Sequence, residues 1–588
     1  MNTNDSSPRD DRPRGFAFRD LAVHPFAALR DTFSSGYSRA DLRSDLMAGI
    51  VVGVIAVPLS MALAINTGVA PQHGLYTAII AGLLIALLGG SRVQVSGPTA
   101  AFVVILAPIT AKYGFAGLAT ATALAGLILM TMGMLKLGRL IQIIPNPVTT
   151  GFTSGIAVVL AILQMRDFFG LAVPALPEST PGKVIALFQA LPTAQWDDFL
   201  VGLATLLLLI YWPKVNKAIP PPLAALALVT VAVTLLEGRV GGFDIASIAD
   251  RFGSAAMPSG IPSVIPHPGV PWHYSHPPTV SSELSFAMVR DLLPAAFAIA
   301  LLGAIESLLS AVVADGMSGH RHDPDTELFA QGVGNFVVPF LGGFAATGAI
   351  ARTAANIRFG ARSPVAAMVH ALFVLAVVLL LSPVLGALPM AAMAALLIRV
   401  AWTMSDAKHF IHTLRVAPLS DIVVLLACFL LTVAFDMVIA VTAGLLLAMM
   451  LFMKRMIDIA GVNVLQAGSR GFPADLPEGV MVFDIAGPLF FGAAEKAMSP
   501  QQALWGADKP KVVLFDLRDV PAMDMTGLVA LETALDRLAK QDIRVVIAGI
   551  QNQPLRVMAR AHLHRDRAHV FITGSFNMGV DIARKLAK

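Results

Sequence analysis

Charged side chains are scarce in this sequence. Only 14% of its 588 residues are Asp, Glu, Lys or Arg, whereas 56% are hydrophobic and the mean hydropathy is +0.73. Soluble domains carry about 25% charged residues, so this composition excludes an ordinary soluble protein. The single cysteine, Cys428, excludes an intrachain disulfide. Residues 1–45 are polar and lack the apolar core of a signal peptide, which predicts a cytoplasmic N-terminal tail.

Long apolar runs recur between residues 46 and 455, and each is close to the 20 residues that cross a bilayer. They predict an α-helical polytopic membrane protein with about 14 transmembrane segments. The predicted segments are 46–67, 73–90, 98–112, 115–136, 147–166, 198–212, 221–238, 288–314, 327–343, 350–360, 363–383, 388–404, 419–435 and 436–453.

Basic residues lie in alternate loops, as with Lys136 and Arg139 after the fourth segment and Lys454 and Arg455 after the last. The positive-inside rule therefore predicts that both termini are cytoplasmic. The loop 239–287, rich in Pro, Gly and Ser, then lies on the extracytoplasmic side. It separates a first transmembrane repeat, 46–238, from a second, 288–456.

Two segments are interrupted by Gly, Pro and other small residues: "SRVQVSGPTAAFVVILAP" at 91–108 and "LGGFAATGAIARTAANIRFG" at 341–360. Each is the third segment of its half, a pattern typical of transporters built from inverted repeats. Free N–H groups and positive dipole ends of two half-helices would make an anion site. The alternative is that small residues only allow close helix packing.

The predicted substrate-binding residues are those that begin the two short helices. They are Ser96, Gly97, Pro98, Thr99 and Ala100 in the first half, and Ala349, Ile350, Ala351, Arg352 and Thr353 in the second. We expect Pro98 in the first helical turn, where its missing N–H costs nothing. Ser96 and Thr99 are expected to cap the helix or to donate to the ligand.

Ionisable residues deep in the membrane are functional candidates by default. Glu306 lies within the eighth segment, with Ser310 one turn on along the same face. A carboxyl balanced between burial and a nearby cation is able to carry a proton, so both residues are assigned to proton coupling. A structural hydrogen bond to a neighbouring helix is the alternative.

Arg352 begins the second short helix, where a cation opposes the helix dipole. A fixed positive charge that binds an anion would explain this placement. The alternative is permanent pairing with Glu306 or with lipid headgroups. Pro58 interrupts the first segment and is followed by Ser60, which predicts a kink toward a central cavity. Simple bending explains Pro58 equally well.

The composition changes after residue 456. The stretches "VMVFDIAGPLFF", "KVVLFDLRDV", "RVVIAGI" and "HVFITG" predict strands, and "GLVALETALDRLAKQ" and "QPLRVMARAHLH" predict helices. Alternating strands and helices predict a small cytoplasmic α/β domain within 457–588. It has no phosphate-binding loop, and the sequence predicts neither a cofactor nor a metal site anywhere in the chain.

Several long stretches resemble the SulP family of anion transporters. They are "DLMAGIVVGVIAVPLSMALAINTGVAPQHGLY", "GGSRVQVSGPTAAF", "IPNPVTTGFTSGIA", "GAIESLLSAVVADGM" and "ATGAIARTAANIRFGARSP". The resemblance implies a 7+7 inverted repeat with UraA-like core and gate domains, an elevator mechanism, a C-terminal STAS domain and a homodimer. The core would hold segments 1–4 and 8–11, and the gate segments 5–7 and 12–14. Within the family the chain most resembles members that carry C4-dicarboxylates.

The resemblance also bears on coupling and regulation. Sodium-coupled members place a hydroxyl where this chain has Ile350, and Arg352 would repel a cation, so protons are expected instead. In the STAS domain, "MDMTGL" resembles the turn phosphorylated in anti-sigma-factor antagonists, which falls on Asp524, Thr526 and Gly527. A simpler interpretation is that Thr526 only caps the next helix.

These observations predict a secondary active anion transporter of the bacterial cytoplasmic (inner) membrane. We expect proton-coupled uptake of C4-dicarboxylates such as succinate, fumarate or aspartate. The alternatives are a sulfate or bicarbonate transporter, an anion channel, and a STAS-linked anion sensor. The expected partners are the anion, protons, the lipid bilayer, a second copy of the chain and a cytoplasmic protein at the STAS domain. No enzyme activity and no nucleic-acid binding are expected.

Overall fold

The computed structural model forms two compact units, 1–445 and 446–588. It describes residues 23–141, 145–173, 177, 179–216, 219–237, 239, 243–255, 257–275, 285–435, 437–459, 461–465, 479–490, 510–563 and 568–588. Residues 1–22 of the predicted N-terminal tail and parts of the loop 239–287 and of the C-terminal domain lie outside these residues.

The first half of the membrane unit contains ten helices and one two-residue strand among the described residues. They are α1 (Ala27–Ser34), α2 (Arg39–Thr67), α3 (Pro71–Leu88), β1 (Ser96–Gly97), α4 (Ala100–Met134), α5 (Gly138–Ile141), α6 (Asn146–Phe168), α7 (Thr180–Ala190), α8 (Trp196–Val215), α9 (Pro221–Leu236) and α10 (Ile248–Phe252). α1 and the start of α2 fall within the predicted tail.

The second half repeats this order. It contains α11 (Phe286–Ser318), α12 (Pro324–Val337), β2 (Thr347–Gly348), α13 (Ile350–Arg358), α14 (Pro364–Gly386), α15 (Met390–Ser405), α16 (Ala407–Val416), α17 (Leu419–Ala434) and α18 (Met437–Ile459). In each half a long helix is followed by a shorter one, a two-residue strand and a helix that begins just after it. Gly114 then interrupts α4 with a left-handed φ of 68°, so α4 contains both the third and the fourth predicted segments.

Proline begins many of the membrane helices. Pro71, Pro147, Pro221, Pro324 and Pro364 each occupy the first or second position of α3, α6, α9, α12 and α14. Proline suits this place because the first N–H groups of a helix have no intrahelical acceptor. Over the described residues, nine helices are long and apolar enough to cross a membrane, and α9 and α17 are shorter apolar helices.

The helices pack in two groups. In one group α4 packs against α11 and α12, and α14 packs against α2 and α3. In the other, α6 packs against α15 and α17, and α8 packs against α9 and α15. The first group contains the segments predicted for the core domain, and the second contains segments predicted for the gate domain.

The C-terminal unit contains a five-stranded sheet. Its strands are β3 (Gly461–Leu465), β4 (Val480–Ala486), β5 (Val512–Asp519), β6 (Arg544–Ala548) and β7 (Val570–Thr573), in spatial order β3-β4-β5-β6-β7. Only β3 is antiparallel to its neighbour. The helices are α19 (Met525–Ala539), α20 (Asn552–Arg560) and α21 (Phe576–Ala587).

Helices cover both faces of this sheet, as parallel strands require. Leu531 and Leu535 of α19 and Met558 of α20 join one buried cluster with Phe515 of β5. Val580 of α21 belongs to a second cluster on the opposite face. The four strands and two helices predicted from the sequence are present, whereas β3 and α21 were not predicted.

Candidate functional site

The two interrupted segments meet inside the membrane unit. β1 and β2 pair antiparallel, with Ser96 opposite Gly348 and Gly97 opposite Thr347. The backbone N–H of Ala349 also donates to the carbonyl of Val95, at 2.8 Å. This pairing satisfies polar backbone groups that would otherwise be costly in a non-helical segment at membrane depth, and it brings the starts of α4 and α13 together.

Neither of these helices has a side-chain cap. Thr99 is the N-cap of α4 and Ala349 is the N-cap of α13, and neither side chain accepts from its helix. The first N–H groups of a helix lack intrahelical acceptors and carry a partial positive charge. The start of α13 is also accessible, because Ile350 is 37% exposed and Ala351 is exposed. The two helix starts are therefore suited to a bound anion.

The structure contradicts two details expected of this first segment, the helical position of Pro98 and helix capping by Ser96 and Thr99. Donation by these two hydroxyls to a ligand stays a prediction. Pro98 is not in the first helical turn, because α4 begins at Ala100 and Pro98 precedes the N-cap. Ser96 and Thr99 do not cap the helix either. The hydroxyl of Thr99 donates to Oε2 of Glu306 at 2.9 Å, and the hydroxyl of Ser96 accepts from Nε2 of Gln331 at 2.9 Å.

Arg352 lies between the two segments. Its side chain is buried, at 2% exposure, and its NH2 nitrogen donates to the carbonyl oxygen of Pro98 at 2.5 Å. Nε and NH1 are buried, and none of the residues that the structure describes accepts a hydrogen bond from them. A β-carbon on Gly97 would lie 2.7 Å from NH1, so a larger residue there would displace the guanidinium. Among the described residues Arg352 donates to the backbone carbonyl of Pro98 and forms no ion pair with Glu306, and pairing with lipid headgroups stays the alternative.

Helix α11 contacts both segments through three polar side chains that lie within two helical turns. Glu306, 9% exposed, accepts from Thr99 at the start of α4. One turn on, Ser310 donates to the hydroxyl of Thr353 in α13, at 3.3 Å. Between them, the hydroxyl of Ser307 accepts from the N–H of Gly348 at 3.1 Å. The acidic side chain is thus one hydrogen bond from a helix start that carries partial positive charge.

Pro58 and Ser60 lie in a tightly packed part of α2. Both are buried, and the hydroxyl of Ser60 has no hydrogen-bond partner in the described ranges of the chain. A β-carbon on Gly74 of α3 would lie 2.0 Å from the carbonyl oxygen of Ser60. The two helices therefore approach at backbone distance here. Ser60 is not joined by a hydrogen bond to either interrupted segment.

Other polar residues near the site were not singled out from the sequence. Glu327, Gln331 and Asn335 are buried on α12. His370 of α14 is fully buried. In the sequence, the first three could have been found by their four-residue spacing among mainly apolar residues. His370 could have been found as a single histidine in an apolar run.

The STAS turn lies at the start of α19. Asp524, not Thr526, is the N-cap, because its carboxylate accepts from the N–H of Gly527 at 2.8 Å. A β-carbon on Gly527 would lie 2.3 Å from the carbonyl oxygen of Leu489, which requires glycine there. Thr526 is exposed and its predicted capping role is wrong. A groove of about 450 Å³ adjoins the turn and is lined by Met523, Asp524, Met525, Leu528, Val557, Arg560 and Ala561.

Comparison with solved structures supports this architecture. The murine Slc26a9 anion transporter, solved in an inward-facing state, superposes with a TM-score of 0.81 at 19% identity, covering 99% of this chain and 97% of that one. At that identity the likeness shows the fold alone. The transmembrane domain of a cyanobacterial bicarbonate transporter, BicA, gives a TM-score of 0.58 at 27% identity over 70% of this chain and 97% of that one.

Sequence relatives extend over most of the chain. A putative sulfate transporter of Bacillus subtilis, YvdB, is 38% identical across 86% of this chain and 91% of its own length. The bicarbonate transporter BicA of Picosynechococcus is 28% identical across 87% and 89%. These relatives are named for sulfate and bicarbonate, so the resemblance to dicarboxylate carriers stays a prediction.

Two family models cover the chain. The sulfate permease family matches residues 42–428, and the STAS domain matches residues 472–573. The predicted fold, a helical membrane domain followed by a small α/β domain, is confirmed, and the family's transporters are multi-pass membrane proteins that move anions. The chain belongs to the sulfate permease (SulP) family and carries a C-terminal STAS domain.

Proposed function

We propose that this protein is a proton-coupled secondary transporter that carries a small anion between the starts of α4 and α13. The observation that carries the proposal is the pairing of β1 with β2, which joins two uncapped helix starts beside a buried arginine. Within the part of the chain that the structure describes, no group accepts a hydrogen bond from Nε or NH1 of Arg352. Buried charged donors without partners are costly, and a bound anion would satisfy them.

Glu306 is the proposed proton carrier. Its carboxyl accepts from Thr99, the N-cap of α4, so a change in its protonation alters the charge beside the proposed anion. Cotransport then follows from electrostatics: a proton on Glu306 removes a negative charge that repels the anion. Sodium is disfavoured because Ile350 offers no oxygen ligand and Arg352 repels cations.

The proposed movement is an elevator-like displacement of the core group against the gate group. In the core, α4, α11 and α13 all contact the proposed site. A core that moves as a unit would carry these contacts with it. We further propose a homodimer in the bacterial cytoplasmic membrane, with both termini in the cytoplasm and a protein partner at the STAS domain.

The substrate that we propose first is a C4-dicarboxylate such as succinate, fumarate or aspartate, on the resemblance of the spans. Sulfate or bicarbonate is the second candidate, and the names of the relatives favour it. The charge arrangement suits each of them. Competition distinguishes the two: if excess sulfate blocks anion uptake and succinate does not, the dicarboxylate assignment fails.

The experiment that tests the proposed function is uptake into proteoliposomes. Purified protein is supplied with labelled succinate, sulfate or bicarbonate, with and without an imposed proton gradient. We expect uphill accumulation that depends on the gradient. Passage of anions without accumulation would indicate a channel. A sensor would instead keep its flux and lose signalling when residues 457–588 are deleted.

A further inference from the structure

One face of α12 carries three buried polar side chains, which we call the α12 stripe: Glu327, Gln331 and Asn335. Their exposed fractions are 1%, 0% and 1%. Residues four apart lie one above the other on a helix, so the stripe is continuous along the helix. Polar groups at membrane depth are costly unless each finds a partner, and the partners of the stripe therefore indicate its role.

The two N-terminal residues of the stripe, Glu327 and Gln331, form hydrogen bonds with the first interrupted segment. Oε2 of Glu327 accepts from the backbone N–H groups of Gly90 and Ser91, at 3.1 and 3.2 Å. Nε2 of Gln331 donates to Oε1 of Glu327 at 3.1 Å and to the hydroxyl of Ser96 at 2.9 Å. Two adjacent side chains of one helix thus contact the chain that precedes β1 and β1 itself.

Asn335, the C-terminal residue of the stripe, forms hydrogen bonds with the second interrupted segment. Oδ1 of Asn335 accepts from the N–H of Ala346, and Nδ2 donates to the carbonyl of the same residue, each at 2.8 Å. This pair of bonds imitates a backbone partner and fixes the residue that directly precedes β2. A single helical face therefore contacts β1 and the residue that leads into β2.

We propose that the α12 stripe positions the anion site and that Gln331 is its central positioning residue. Four residues of helix span about 6 Å, so the attachment points for the two strands lie at a fixed spacing on one rigid element. Ser96, which Gln331 holds, is directly opposite Gly348 in the strand pair. Gln331 acts through Ser96 on the alignment of the two helix starts. The proposal rests on the proposed function, in which those starts bind the anion.

The test compares two substitutions on the same helix. Gln331→Met removes the hydrogen bonds of the amide at similar volume, and Leu328→Met is the matched control at a fully buried apolar position. We expect Gln331→Met to raise KM for the transported anion about fivefold, as for one lost hydrogen bond, with kcat within about twofold. Leu328→Met should leave both unchanged. An equal KM in the two variants would overturn the proposal.

A double-mutant cycle tests the route through Ser96. Ser96→Ala breaks the same hydrogen bond from the other side and is the milder change if Gln331→Met does not fold. We expect the variant carrying both substitutions to have the KM of the more affected single variant. Independent effects that multiply would show that Gln331 does not act through Ser96.

Hydrogen exchange supplies a readout that needs no transport. In Gln331→Met and in Ser96→Ala, amides in 90–99 should exchange faster than in the wild type and in Leu328→Met. Unchanged exchange overturns the positioning role even where transport is normal. If the wild type moves no anion, the proposed function fails, and the exchange data still decide whether the stripe fixes the strands.

Discussion

Replacing Arg352 with methionine should weaken anion binding strongly and leave the fold nearly as stable. Arg352 is 2% exposed and its guanidinium donates once to Pro98, and Nε and NH1 have no hydrogen-bond partner among the described residues. A hydrogen bond to a charged group contributes about 1.5–3 kcal/mol. Since about 1.4 kcal/mol is a factor of ten, KM for a divalent anion should rise about tenfold to hundredfold.

Two effects on stability oppose each other in this variant. The carbonyl of Pro98 loses its donor, which costs about 1–3 kcal/mol when the group is buried. Removal of a buried charge without a counter-ion offsets this cost, because taking a charge out of water is expensive. Thermal unfolding without anion should therefore change little, whereas the stabilisation given by a fixed anion concentration should be smaller than in the wild type.

Proteoliposome uptake over a range of anion concentrations measures the KM, and thermal unfolding of the purified protein with and without anion measures the binding. Arg358→Met is the matched control, because Arg358 is an exposed arginine in the last turn of the same helix. If Arg352→Met and Arg358→Met change KM equally, the reasoning about the buried arginine is refuted.

Three further predictions concern the carboxyl, the strand pair and the STAS turn. Glu306→Gln keeps the hydrogen bond from Thr99 but cannot take up a proton, so uptake should lose its rise toward acidic pH; a wild-type pH profile rejects Glu306 as the proton carrier. Gly97→Ala places a carbon 2.7 Å from NH1 of Arg352, so the guanidinium must shift and KM should rise at unchanged charge; an unaltered KM contradicts this. Asp524→Ala removes the cap of α19 and should cost about 1 kcal/mol of STAS-domain stability, measured by denaturant unfolding of the full chain, with anion flux as the comparison.

The sequence predicted those features of the membrane unit that depend on local composition. Pro and Gly punctuate the helices, and the stretches around Ser96 and Thr347 contain enough small residues to mark a break in each half. The partners across the break were not predictable, because they lie far apart in the chain. Arg352 donates to Pro98 rather than to Glu306. The spacing of charged residues in the sequence does not show whether an arginine donates to a backbone carbonyl or to a carboxylate.

The α12 stripe was missed for a related reason. Glu306 was a candidate because it lies in the middle of a predicted membrane segment. Glu327 is the first residue of the predicted segment 327–343, where a carboxylate is usually exposed to solvent. The structure starts α12 at Pro324 and buries the carboxylate. Short elements were not predicted either. α7 and α16 lie between predicted membrane segments, and β3 and α21 flank the part of the STAS domain in which strands and helices alternate clearly in the sequence.

The first interrupted segment obtains its partners from the second half of the protein. Glu327, Gln331, Thr353 and Asn356 bond to residues 90–96 across 235 to 263 positions of sequence. At about 5–20 residues per second, a ribosome needs roughly ten seconds or more to synthesise the intervening chain. During that time residues 90–96 lack the partners that the second half of the protein later supplies. We infer that the proposed anion site assembles late in biogenesis, after the second half of the chain has been synthesised.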